Sequence, residues 1–186
     1  MKATGPFYIA NRILRGTGIL LAVGTAWWVW QNREVASPFL NLYEAWRLGK
    51  PAPMRMQTWT VHATKTFDGE SFQARTTNGA LYTVRLAGVD APDPSSPSQS
   101  VRKQARLSRD FLDRRLGTNQ LRVDVTLTNG SRIALGIVYN GKTNLNALCI
   151  ATGNANFNRD FMVGTSFRSR YTLLQAERRA GRLRQP

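Results

Sequence analysis

The stretch "TVRLAGVDAPDPSSPSQ", residues 83–99, decides how the rest of the chain is read. Its first half alternates apolar and polar residues, as a half-buried strand does, and three prolines then force it into a loop. Arg85 lies near the strand's end, and Asp90 and Asp93 lie at its exit. An arginine and two aspartates so placed belong either to a site that acts on an anion or to a salt-bridged loop.

Four further β-rich runs flank it: "WTVHATKTF" (59–67), "SFQARTT" (71–77), "LRVDVTLT" (121–128) and "RIALGIVYN" (132–140). Turn pairs stand at Asp68-Gly69, Asn78-Gly79, Asn129-Gly130 and Asn140-Gly141, where backbones favour tight reversals. Five short strands with few helices predict a closed β-barrel rather than a doubly wound sheet. Residues 100–116 read as a helix with Val101, Ala105, Leu112 and Leu116 inward and Arg102, Arg106, Arg109 and Arg115 outward. Shorter helices are expected from Asn144 to Thr152 and from Tyr171 to Ala180. The fold class is therefore a β-barrel with helices, of OB type, with about five strands plus three helices.

In front of the barrel, Gly16–Asn32 runs 17 residues without a charge, with Trp27, Trp28 and Trp30 near its polar end. A bilayer needs about 20 apolar residues, and interfacial tryptophans fit an anchor, so one N-terminal transmembrane helix is expected. A basic start with no acid before Glu34 is biased as mitochondrial import sequences are, which gives a mitochondrial inner membrane, single-pass expectation. "SPFLNLYEAWRLGKPAP" (37–53) then reads as an amphipathic helix, capped by Ser37 with Pro38 at its first position and carrying Phe39, Tyr43 and Trp46 on one face. It lies on a membrane surface, against a partner, or on its own domain. The expected division is residues 1–34 for tail and anchor, 35–57 for the linker helix and 58–186 for the barrel.

The net charge of +15 favours anionic partners, with nucleic acid, anionic lipid and acidic protein all open. Cys149 is the lone cysteine, which excludes an intrachain disulfide and a cysteine metal site. It sits in an apolar run as a small core residue. His62, the single histidine, falls in a strand and reads as structural or exposed.

"FDGESF" (67–72), "VRLAGVDAPD" (84–93), "SRIALGIVYNGKTNLNALCIATGNA" (131–155) and "LLQAERRAG" (173–181), in that order, resemble the staphylococcal nuclease-like family, an OB-type barrel with three helices. The resemblance covers about Val61 to Gly181, and the anchor in front is similar to that of membrane-tethered mitochondrial members. It implies a calcium ion held by Glu70 and Asp90 with the Ala91 carbonyl, Asp93 as the base that activates water, and Arg85 and Arg132 stabilising charge on the phosphoryl oxygens. Several positions depart from the family pattern. Glu70 stands for a shorter aspartate and Asp93 for a longer glutamate. Thr128 and Gly130 replace an acid and a tyrosine in "TNGSR", and the closing tryptophan is missing from "GRLRQP". One methylene displaces a carboxylate by about 1 Å, a misplacement that costs on the order of a hundredfold in rate. The preferred reading is a non-catalytic accessory or structural subunit of a mitochondrial membrane complex, a pseudoenzyme. The alternatives are a calcium-dependent phosphodiesterase acting on DNA or RNA, and a non-catalytic nucleic-acid or lipid binder. Nucleic acid is not favoured as partner, because the Arg-rich helix interleaves only Phe111 among its cations.

Overall fold

The computed structural model describes residues 21–28, 31, 33–49 and 56–183. It divides into two compact units, residues 1–42 and 43–186. In the first unit residues 21–28 are helical, as is the stretch from Arg33, where helix α1 (Arg33–Arg47) begins. Among the described residues no helix is long and apolar enough to cross a membrane. This overturns the expected N-terminal transmembrane helix and, with it, the single-pass placement in the mitochondrial inner membrane. The 17-residue run sits at the short end of what a bilayer requires. Its residues 16–20, 29, 30 and 32 lie outside the described residues. Pro38 is inside α1 rather than at its first position. A proline there removes one backbone hydrogen bond, which a helix already running from Arg33 absorbs.

In the second unit five strands close a barrel: β1 (Gln57–Thr66), β2 (Ser71–Thr76), β3 (Leu81–Leu86), β5 (Gln120–Thr128) and β6 (Ile133–Asn140). Two short pieces, β4 (Val89–Asp90) and β8 (Asn156–Phe157), pair antiparallel beside it, and β7 (Thr143–Asn144) adds a hairpin to β6. The order β3-β2-β1-β5-β6 is antiparallel throughout, and a parallel β3–β6 pairing closes the ring. The alternation seen in the sequence places Val61, Phe72, Ala74, Val84, Leu86, Leu121, Val123 and Val125 in the core. β6 is buried continuously from Ala134 to Val138, since one face lines the barrel and the other is covered by helix α3 (Leu145–Ala151). At Gly136 an added Cβ would meet Val123 at 2.8 Å and the Asp124 carbonyl at 2.9 Å, so the strands can approach only without a side chain.

Helix α2 (Gln99–Leu116) buries Ala105, Ser108, Leu112 and Leu116. Helix α4 (Phe167–Leu183) begins four residues before the expected Tyr171. The Ser166 hydroxyl accepts the Ser169 N–H at 3.1 Å and caps the helix ahead of its apolar face. Cys149 is buried, and burial pushes its thiol up to about 12. His62 is exposed on β1.

The last turn of α1 belongs to this unit. The Arg159 Nε donates to Glu44 at 2.8 Å, and its two terminal nitrogens hold Glu177 of α4 at 3.0 and 2.8 Å. Arg170, buried, donates to the Ala45 carbonyl and to the Thr165 carbonyl. Ala45 itself is in the core, whereas Tyr43 and Trp46 are 62% and 70% exposed.

Candidate functional site

The turn between β1 and β2 sets Glu70. Asp68 accepts the Glu70 N–H at 2.9 Å and the Ser71 hydroxyl at 2.8 Å, which is the local closure an aspartate gives a tight turn. Gly69 is required there, since a Cβ would lie 2.7 Å from Ser108 and 2.8 Å from Ala91. The turn is thus pressed against α2 and the β4 exit, and the Glu70 side chain is delivered to the end of β3.

There it meets Arg85. One Glu70 oxygen receives the Arg85 guanidinium at 2.6 Å, and the other accepts the Ala91 N–H at 2.9 Å. Glu70 is 13% exposed and Arg85 37%. Burial raises the Glu70 carboxyl above its ordinary value, against the lowering by the Ala91 N–H and Arg85, while Asp68 and Asp90 raise it further. The Arg85 guanidinium also lies over the Phe161 ring, 4.6 Å from its centre, and its Nε is buried without a hydrogen-bond partner. Ion pair, ring and backbone N–H together hold Arg85 and Glu70 on each other.

The other expected site residues are less engaged with this pair. Asp90 is exposed on β4 opposite Asn156, near enough to Glu70 to act on its titration. Asp93 accepts the Ser95 N–H at 2.8 Å and the Ser95 hydroxyl at 2.7 Å, and these bonds lower its carboxyl below the ordinary value. It serves as the acceptor of its own loop. Arg132 is exposed and is the one described non-glycine residue in the left-handed region, at φ 57°. Asn129 holds that turn by accepting the Ser131 and Ile133 N–H groups, both at 3.1 Å. The β3–β6 register aligns Thr83 with Ile133 and Arg85 with Leu135, which puts the two arginines about three residues, or roughly 10 Å, apart along the strands.

A calcium ion here would compete with Arg85 for the Glu70 carboxylate. Both Glu70 oxygens are taken by Arg85 and Ala91, and Ala91 offers Glu70 its N–H. Among the described residues no group of three or more His, Cys, Asp or Glu could hold a metal. A hard cation needs six or more oxygens converging on it, and this corner presents an ion pair instead. Phe161, the Ala91 N–H and Asn156 were not foreseen. Phe161 sits in "NRDFM" with no periodicity to mark it, and a backbone N–H leaves no trace in composition.

A family model described as staphylococcal nuclease homologue matches residues 83–185, a stretch that holds Arg85, Asp90, Asp93 and Arg132. The closed barrel and that match together make the chain a member of this family of nuclease-like barrels. No curated protein matches it.

Proposed function

We propose that this chain is a non-catalytic member of its family, a basic barrel that serves a larger assembly as a binding subunit. One observation carries the reading, the 2.6 Å Arg85–Glu70 ion pair backed by the Ala91 N–H. Phosphodiester cleavage needs Arg85 free for phosphoryl oxygens and Glu70 free for a cation, and each is instead spent on the other. The reversed lengths at Glu70 and Asp93, and the use of Asp93 within its own loop, support the same reading. The surface for a partner protein is the exposed side of the end of α1, where Tyr43 and Trp46 are 62% and 70% exposed. Aromatic side chains of this kind supply interface anchors.

A phosphodiesterase is the second reading. Asp68 and Asp90 lie close enough to Glu70 to raise its carboxyl, and Arg132 makes no ion pair among the described residues. The two readings separate in one titration of the full chain with millimolar calcium, followed by thermal melting and by cleavage of single-stranded DNA. The binding-subunit reading expects no calcium-dependent rise in Tm and no cleavage. A rise of several degrees, with cleavage abolished in Arg85→Ala, makes the chain an enzyme.

A further inference from the structure

At the far end of β6 from Arg85, a cavity of about 620 Å³ opens between β5, the β6–β7 turn and the start of α4. Its volume is in the range that takes a small-molecule ligand. Three cations from three different elements line it: Arg122 of β5, Lys142 of the turn and Arg168 of α4. The one carboxylate in its wall, Asp124, is already used, for it accepts the Thr58 hydroxyl at 3.1 Å and faces the Arg122 Nε at 3.5 Å. Lys142 and Arg168 make no ion pair among the described residues. The cavity thus keeps about two uncompensated positive charges. Hydroxyls of Ser166 and Ser169 lie in the same wall, bonded to each other at 2.9 Å, which leaves one proton of the pair to donate outward.

We propose that this cavity binds the phosphate of a small phosphorylated molecule, through Lys142, Arg168 and Arg122. Arginine and lysine joined by hydroxyl donors on fixed elements are the groups that recognise a phosphate. The N-terminal end of the 17-residue helix α4, which carries no acid in its first turn, adds to the same potential without being needed for the assignment. Recognition is of the anion and not of a base. The one aromatic ring in the wall, Tyr139, packs against the core and carries the Arg122 guanidinium over one face at 4.1 Å. The remaining volume accommodates a sugar-sized body. The site shares no residue with the Glu70–Arg85 corner, so it stands or falls apart from the proposed function.

Calorimetric titration of the full chain with ribose 5-phosphate, with ribose and with inorganic pyrophosphate tests this. Ribose 5-phosphate and pyrophosphate bind and ribose does not. The Lys142→Gln/Arg168→Gln double variant loses at least tenfold in affinity with an unchanged Tm, Arg168→Lys keeps most of the binding, and Arg132→Gln is indistinguishable from the parent. Undiminished binding in the double variant, equal loss in Arg132→Gln, or no binding of either phosphate at millimolar concentration overturns the assignment. So does binding to phosphatidic acid vesicles without binding to the free phosphates, which makes the ligand a membrane surface. If the double variant fails to fold, Arg168→Lys and the single variant Lys142→Gln carry the comparison.

Discussion

The two ends of β6 treat positive charge in opposite ways. At its start, Arg85 is matched to Glu70 at 2.6 Å and stacked on Phe161, so the charge is consumed inside the fold. At its end, Lys142 and Arg168 face a cavity with only Arg122 and an already committed Asp124 for company. A charge that the fold has satisfied contributes to stability and has little left for a ligand. One left unsatisfied contributes nothing to folding and is available. The family's signature residues lie at the first end, and the charge available for binding lies at the second.

The largest effect expected from breaking this contrast is that of Arg85→Ala. It leaves Glu70, only 13% exposed, with no cation, and discounting for the exposed part of Arg85 it costs about 2 kcal/mol. Urea unfolding reads this directly, and melting should fall by about 6 °C. A change of under 1 °C would mean that the pair stabilises nothing and the corner is open after all.

Glu70→Gln comes next. It keeps an acceptor for the Ala91 N–H but gives up the charge, and because burial opposed that charge the loss stays below about 1 kcal/mol. Its pH dependence sharpens the test. A carboxyl whose folded value is raised holds its proton more tightly in the native state, so its contribution is greatest below about pH 4.5 and declines as pH rises through the folded value. Relative to Glu70→Gln, the parent should therefore lose stability with rising pH across that window. The opposite slope would show Arg85, not burial, in control.

At the other end, Lys142→Gln and Arg168→Gln should each change stability by no more than about 0.5 kcal/mol, either way, in chemical denaturation. A larger loss would reveal partners that the fold supplies. The smallest effect belongs to Asp93→Asn, which keeps an acceptor for Ser95. Asp93 is lowered by its bonds to Ser95, so the parent's advantage is present above its ordinary value and fades as pH falls through the folded one. Melts at pH 6 should show the parent slightly ahead of Asp93→Asn, with the gap closing in acid, and a gap that persists below the carboxylate range would give Asp93 a role beyond its loop.

The five barrel strands were legible because alternation and the Asn-Gly and Asp-Gly pairs act locally, and the barrel's helices were legible from their apolar spacing. The start of α4 was not, since its first turn sets Phe167 among Arg168 and Arg170 and the cap at Ser166 is a single serine. Arg85, Asp90 and Asp93 were visible as residues, and their grouping with Glu70 came from resemblance. The use to which the fold puts them was hidden, because it depends on Ala91 and Phe161 brought in from separate loops. The cavity of Arg122, Lys142 and Arg168 was hidden for the same reason, since its three cations are widely separated in sequence and meet only in the folded chain. The tryptophan-rich run points to a membrane anchor by composition, with 17 uncharged residues at the short end of what a tilted spanning helix needs, and among the described residues no helix is long and apolar enough to cross.

Asn146, buried at the start of α3, donates to the Ala87 carbonyl at 2.9 Å and to the Gly136 carbonyl at 3.1 Å, and accepts the Val138 N–H at 2.9 Å. It therefore laces the parallel seam between β3 and β6, whose partners are about fifty residues apart in the chain. Such a distant pairing forms late, because the loop must be closed before its bonds repay the lost entropy. The amide that fastens the seam arrives on a helix that follows β6, so closure and docking of α3 become a single kinetic event. In hydrogen–deuterium exchange the Val138 amide should then open only when the whole barrel does, at the rate of global unfolding and not of local fraying.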